Sequence, residues 1–149
     1  MTSAQESLRA RLVAIALEWQ NSFGVAPQIT NAVSEYDAAR LIGHTDASYG
    51  QDCVGRTAVS KGADFSHHGI RYQVKGSRPS GAPGSDVTKL AKASNYYWDR
   101  FLWLLYDKNY VLQEAWLWEV DAYRTAFHDQ KYIRPPDMRR GRKIFPPVT

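Results

Sequence analysis

The chain predicts an α/β sandwich, with a mixed β-sheet of four or five strands flanked by helices. Three patterns point there. An amphipathic helical stretch opens the chain, and its middle holds two short strand-like segments with polar side chains on one face. Further on, the continuous apolar run Phe101-Leu102-Trp103-Leu104-Leu105-Tyr106 has the character of a central strand covered on both sides.

In chain order, residues from about Ala4 to Gln20 form the first helix, with Leu8, Leu12, Ile15 and Trp19 on one stripe and Arg9, Arg11 and Glu18 elsewhere. Asn21 to Thr30, with Gly24 and Pro27, connects to a second helix. Its start is expected at Ser34, because Ser34-Glu35-Tyr36-Asp37 is a capping-box pattern, and it ends at Gly43. His44 to Lys61 is polar and irregular, a loop. Two short strands follow, about Ala63 to Ser66 and Ile70 to Gly76, joined near His67-His68-Gly69. Ser77 to Ser85 is rich in Ser, Pro and Gly and reads as a loop. A crossing helix is expected from about Asp86 to Asn95, N-capped by Ser85. After the apolar run, Asp107-Lys108-Asn109 turns the chain into a returning strand, Val111 to Val120. Asp121 to His128 is a short helix, and the end from Ile133 is expected to be irregular.

With 149 residues the chain is long enough for one domain, its core spanning about 34 to 128, and a basic Pro- and Arg-rich segment fills 129 to 149. Cys53 is the single cysteine, which excludes an internal disulfide framework and a cysteine-built zinc cage. No apolar stretch reaches the ~18 residues of a membrane span, and the N-terminus lacks the signal-peptide pattern, so a cytoplasmic location is expected. The net charge of +4 is unevenly spread. Arg71, Lys75, Arg78, Lys89 and Lys92 face one acid, Asp86; seven bases from Arg124 onward face Asp129 and Asp137. Two such zones can form a phosphate-binding surface, or remain a solvated face and a loose tail.

The chemistry concentrates in Ala63-Asp64-Phe65 and Ile70-Arg71-Tyr72-Gln73-Val74-Lys75-Gly76. Side chains alternate along a strand, so Arg71, Gln73 and Lys75 share one face and Ile70, Tyr72 and Val74 the other. A two- or four-residue turn between the strands puts Asp64 on the Gln73 and Lys75 face, and a turn at His68-Gly69 sets Asp64 directly opposite Gln73. A three-residue turn breaks the arrangement. An aspartate and an amide oxygen are hard ligands suited to Mg²⁺. A neighbouring lysine can orient a water and offset phosphate charge.

Asp64, a short gap, then Gln73-Val74-Lys75 resembles the PD-(D/E)XK nuclease superfamily, in which an Asp precedes an acid-x-Lys on the next strand. Gln stands here where Asp or Glu is commoner, which removes one negative charge. Members of that superfamily supply a further acid from the helix before the first strand, and Glu35 in Ser34 to Gly43 matches that place. An acid in a first helical turn is also favoured by the helix dipole alone. Asp37 is the fallback ligand, better suited to a cap.

The resemblance covers about Ser34 to Val120. It implies a restriction endonuclease-like fold and Mg²⁺-dependent hydrolysis of DNA phosphodiesters, with Mn²⁺ able to substitute. The implied site is Glu35, Asp64, Gln73 and Lys75, the first three holding metal, and the implied products carry 5′-phosphates. Double-stranded DNA is the expected partner, contacted by Arg71, Arg78, Lys89, Arg139, Arg140, Arg142 and Lys143. A chain this small cutting both strands is expected to work as a homodimer or higher oligomer. Restriction and homing endonucleases share this design. The alternatives are an inactive DNA-binding module and a nuclease for RNA or structured DNA.

Other features carry less. Gly76 to Gly81 has P-loop glycine spacing, but Ala82 replaces the lysine. His67 and His68 are expected to be solvated turn residues. Trp103, Trp116 and Trp118 fall in strands, where core packing is expected rather than base stacking.

Overall fold

The structure is a computed structural model and describes residues 3–45, 48–50, 53 and 62–148. Most of the expected loop between His44 and Lys61 lies outside these residues. The described elements are α1 (Ala4–Phe23), α2 (Thr30–Leu41), β1 (Phe65–His67), β2 (Ile70–Ser77), β3 (Arg100–Tyr106), β4 (Leu112–Glu119), α3 (Val120–Phe127), α4 (Pro135–Met138) and β5 (Arg142–Phe145). The five strands lie side by side in chain order, β2 and β3 parallel and every other pair antiparallel. The mixed sheet with flanking helices is the expected α/β class. Among the described residues no helix is long and apolar enough to cross a membrane.

The apolar run forms the middle strand, β3, and alternation divides it between two cores. Leu102, Leu104 and Tyr106 join Val33, Ala38, Ala39, Phe65, Tyr72, Val74, Ala115 and Leu117 on the face covered by α2. Phe101 and Trp103 join Leu90, Trp98, Trp118, Tyr123, Phe127, Ile133 and Met138 on the other, beneath α3, α4 and the segment entering β3. Trp103 is completely buried and donates from Nε1 to Ser77 Oγ at 3.0 Å. Its role is packing, as expected.

Helix α2 begins a turn earlier than the capping-box pattern indicates. Val33 and Ser34 are already buried against the sheet, so tertiary packing extends the helix to Thr30. Ser34 is therefore internal, and its hydroxyl bonds the Asn31 carbonyl at 3.1 Å. Asp37 is not a cap. Its carboxylate accepts two bonds from Arg9 of α1 at 2.6 Å and one from the Tyr106 hydroxyl at 2.6 Å.

The crossing segment is not the helix expected over Asp86 to Asn95. Its backbone is extended, with Leu90 N–H donating to the Ile133 carbonyl at 2.9 Å and Ala93 N–H to the Tyr123 hydroxyl at 3.0 Å. β-Branched Val87 and Thr88 suit this conformation, and tertiary partners replace the helical ladder. The C-terminal end is likewise ordered rather than irregular, folding into α4 and the edge strand β5.

Helix α1 is the expected one, extended to Phe23. Ser3 caps it by accepting from Glu6 N–H at 3.0 Å, and Gly24 ends it in the left-handed region at φ 86°. Its apolar stripe does not enter the core: Leu8, Ile15, Trp19 and Phe23 are each more than half exposed. The side facing the body carries Arg9, Val13, Ala16 and Gln20 instead.

Candidate functional site

The β1–β2 turn decides the geometry. His67 pairs with Ile70, leaving His68 and Gly69 as a two-residue turn with φ of 51° and 78°. Positive φ at both positions matches the twist of a tight hairpin. Phe65 pairs with Tyr72, and their rings stack at 5.1 Å on the α2 side. One step further the register sets Asp64 opposite Gln73, on the other face.

The two side chains meet. Asp64 Oδ2 accepts from Gln73 Nε2 at 2.8 Å and from the Val74 backbone N–H at 2.7 Å. Asp64 N–H in turn donates to the Tyr72 carbonyl at 2.8 Å. Strand β1 has no further rung to offer Val74, so the carboxylate takes the place of a strand carbonyl, both bonds falling on Oδ2. Gln73 is buried beside Phe101, its partner in β3. Lys75, on the same face, is half-buried and in register with Trp103.

Glu35 comes from α2, on the opposite side of the sheet. The helix sits unusually close to β2: a Cβ on Gly76 would lie 2.6 Å from Ser34 Cβ and 3.2 Å from Thr30 Cγ2. Only glycine leaves room for that approach. Glu35 is the next residue along and is half-buried. Residues two apart on a helix project about 200° apart. Asp37 turns toward β3 through Tyr106, so Glu35 projects from the other flank of α2. Thus Asp64 and Gln73 are in contact, Lys75 shares their face, and Glu35 belongs to the helix on the opposite face of the sheet.

Among the described residues no three His, Cys, Asp or Glu side chains converge as a metal-holding group. A divalent cation at this site therefore needs donors beyond that set, and the amide oxygen of Gln73 is the hard donor next to Asp64. With the nitrogen of that amide on Asp64, its oxygen faces away; a half-turn of the terminal torsion exchanges them.

Sequence reasoning passed over residues between the crossing segment and β3 that pack on Gly62 and Arg71, near Asp64 in the chain and in the hairpin. Gly62, at φ 76°, lies so near Asn95 that an added Cβ would fall 2.3 Å from its Oδ1, and 2.9 Å from Tyr97 Cβ. The glycine two residues before Asp64 was the one signal available. Asp99 was also missed. It bonds Arg71 through the guanidinium, at 3.2 Å twice, and through the backbone N–H at 2.8 Å. Arg71 holds the Asp99 carboxyl below the usual carboxylate range.

The candidate DNA contacts differ in how far they are engaged. Arg78 donates to Gln20 Oε1 at 2.7 Å and to the Lys108 carbonyl at 2.9 Å, with its guanidinium 4.2 Å from the Tyr110 ring. It ties α1 to the β3–β4 turn. Arg139 forms a two-pronged bond with Glu114 at 2.8 and 2.7 Å. Lys89 lies 4.2 Å from the Tyr132 ring and Arg140 5.6 Å from Phe127; both are exposed, as is Arg142 on β5. Lys143 stands 5.7 Å from the Trp116 ring. The register runs Lys75, Trp103, Trp116, Lys143 across β2, β3, β4 and β5, one lateral row.

Near the hairpin tip, the His67 ring lies 4.7 Å from His44 and 3.9 Å from His68. His44 Nδ1 is 2.6 Å from Ser48 Oγ, while its buried Nε2 lacks a partner among the described residues. No protein-family model matches the chain, and no curated protein matches it.

Proposed function

We propose that the chain is a Mg²⁺-dependent endodeoxyribonuclease, of the restriction or homing endonuclease kind and related to the PD-(D/E)XK nucleases. The observation that carries this reading is the contact between Asp64 and Gln73, with Lys75 next on the same face. Asp64, Glu35 and the Gln73 amide oxygen are the residues that would hold the ion, and all three are hard oxygen donors. Bound there, Mg²⁺ supplies charge stabilisation at a scissile phosphate and an activated water. Asp64 is fixed by the Val74 N–H, so its orientation is set before any substrate arrives. Lys75, next along β2 on the same face, would position the attacking water and offset charge growing on the phosphate oxygens. The leaving 3′-oxygen departs in line, giving 5′-phosphate ends.

The test is cleavage of supercoiled and linear double-stranded DNA in Mg²⁺ or Mn²⁺, by wild type beside Lys75→Ala. Cleavage by wild type, lost in a folded Lys75→Ala, supports the reading; discrete fragments add sequence specificity. A panel of RNA and branched DNA separates the related nuclease activities.

One observation favours a second reading, a DNA-binding module without catalysis. The amide nitrogen of Gln73, not its oxygen, faces Asp64, and the described residues hold no cluster of three acids. That reading expects DNA binding indifferent to Mg²⁺, no cleavage, and full affinity in Asp64 and Lys75 variants.

A further inference from the structure

We propose that the exposed apolar stripe of α1 is the interface on which two copies of this chain pair, with the two α1 helices antiparallel. Leu8, Leu12, Ile15 and Trp19 recur at spacings of four, three and four, the 3.5-residue period of a helix–helix seam. These side chains are 57%, 37%, 60% and 51% exposed, and Phe23, packed on Trp19 at 4.6 Å, extends the patch. Together the five expose on the order of 500 Å², at the upper end of the largest patch on an ordinary monomer and well over half of the ~800 Å² per partner of a standard interface. The helix is not short of better places to put apolar groups, since its body-facing side carries Arg9 and Gln20.

Charge chooses the partner and its direction. Arg11 and Glu18 flank the seam on one side, both exposed and neither in an ion pair among the described residues. In an antiparallel pair related by a two-fold axis, Leu12 meets Ile15 and Leu8 meets Trp19 of the second copy, each contact occurring twice. The same register sets Arg11 opposite Glu18 of the second copy, again twice. A parallel pair would bring Arg11 alongside Ala16, which is buried against the body, and Glu18 alongside Phe23. The stripe is thus self-complementary in one orientation, as a two-fold interface requires.

The surface is also shaped for it. Between the N-terminal half of the stripe and α2 lies an apolar cavity of about 360 Å³, lined by Leu8, Leu12, Val33, Tyr36 and Tyr49. The antiparallel register delivers Trp19 of the second copy to Leu8, at the rim of this cavity, and buried tryptophans dominate the energetics of interfaces.

The test is the solution mass of the full chain by sedimentation or light scattering, with folding followed by circular dichroism. Wild type is expected to be dimeric, and Ile15→Asp and Trp19→Ala to be folded monomers. Arg11→Glu sets like charges opposite at two points and is expected to weaken the dimer by about tenfold or more. Arg11→Glu combined with Glu18→Arg restores it to near wild-type affinity. A monomeric wild type overturns the proposal, and so does a dimer indifferent to Ile15→Asp. A dimer broken by Arg11→Glu but not rescued in the double variant overturns the antiparallel pairing. The measurement reads mass and not cleavage, so its outcome is independent of the proposed nuclease chemistry.

Discussion

Asp64 and Gln73 face each other across the end of the β1–β2 hairpin, carboxylate oxygen to amide nitrogen at 2.8 Å. The amide nitrogen stands where a positive charge would suit Asp64. Gln73→Glu replaces that donor with a second carboxylate. We predict that this variant loses about 1–3 kcal/mol of stability in EDTA, the scale of a buried polar pair turned unfavourable. Millimolar Mg²⁺ should return most of it, and the Mg²⁺-dependent rise in melting temperature should exceed that of wild type. Equal melting of the two proteins in EDTA, with no response to Mg²⁺, would show that these side chains do not share a cation site.

Gly76 is the point at which α2 is fixed to the sheet. A methyl group there meets Ser34 Cβ at 2.6 Å, and that atom belongs to a helix with nowhere to retreat without moving Glu35. Gly76→Ala is therefore predicted to destabilise by about 1–3 kcal/mol, as overpacking does. Urea unfolding gives the number. A Gly76→Ala protein as stable as wild type would mean that α2 shifts freely.

How much of this could be read beforehand varies with the range of the interactions involved. The face shared by Asp64, Gln73 and Lys75 was legible because strand alternation is local and the two-residue His68-Gly69 turn preserves it. The course of β3 was legible from six consecutive apolar residues. The start of α2 was not, because burial of Val33 outweighs the local preference of Ser34 for a cap. Nor was the extended course of the crossing segment, whose amides are satisfied by Ile133 and Tyr123, 30 or more residues away. Strand β5 was hidden for the same reason: its register with β4 is a tertiary fact, and Pro and Arg around it suggest a tail. The stripe of α1 was visible as a stripe, while the side it presents depends on Arg9 finding Asp37.

The Arg9, Asp37 and Tyr106 cluster makes a prediction about alkaline pH. Burial, and then the neighbouring Asp37 carboxylate, pushes the Tyr106 hydroxyl well above its ordinary value. A group whose folded pKa is raised contributes stability that is fully present below its unfolded pKa and fades as pH rises beyond it. Stability should therefore fall above about pH 10, the unfolded tyrosine value. Tyr106→Phe should flatten that decline, at the expense of leaving Asp37 with one donor fewer. Unfolding by urea at several alkaline pH values reads both slopes, and identical slopes would refute the assignment.

Acid should act through Glu114. Arg139, with help from the Trp116 indole N–H, holds its carboxyl below the ordinary glutamate value, against the opposing effect of burial. The stability this contributes is present above the unfolded glutamate pKa and is lost as pH falls through the lower folded value. Arg139→Ala should remove that loss, giving a shallower acid limb in urea unfolding from neutral pH downward. If wild type and variant decline in parallel, the Glu114–Arg139 pair does not contribute to acid sensitivity.

The basic side chains should divide into two kinds when DNA is added. Lys143 lies in the same lateral row as Lys75, about 14 Å away across three strand spacings, while Arg142, next to it on β5 and paired with Leu117, projects to the opposite face. On the nuclease reading Lys143 neutralises a phosphate, so Lys143→Ala should lower affinity and reduce the salt slope of binding by about one, leaving melting unchanged, and Arg142→Ala should change the slope less. Arg78 and Arg139 are already committed to Gln20, Lys108 and Glu114. Their alanine variants should melt at lower temperature, and any loss of DNA affinity should follow the loss of folded protein. Fluorescence anisotropy with duplex DNA over a salt series, paired with melting curves, separates the groups. An unchanged salt slope in Lys143→Ala would place the nucleic acid elsewhere on the molecule.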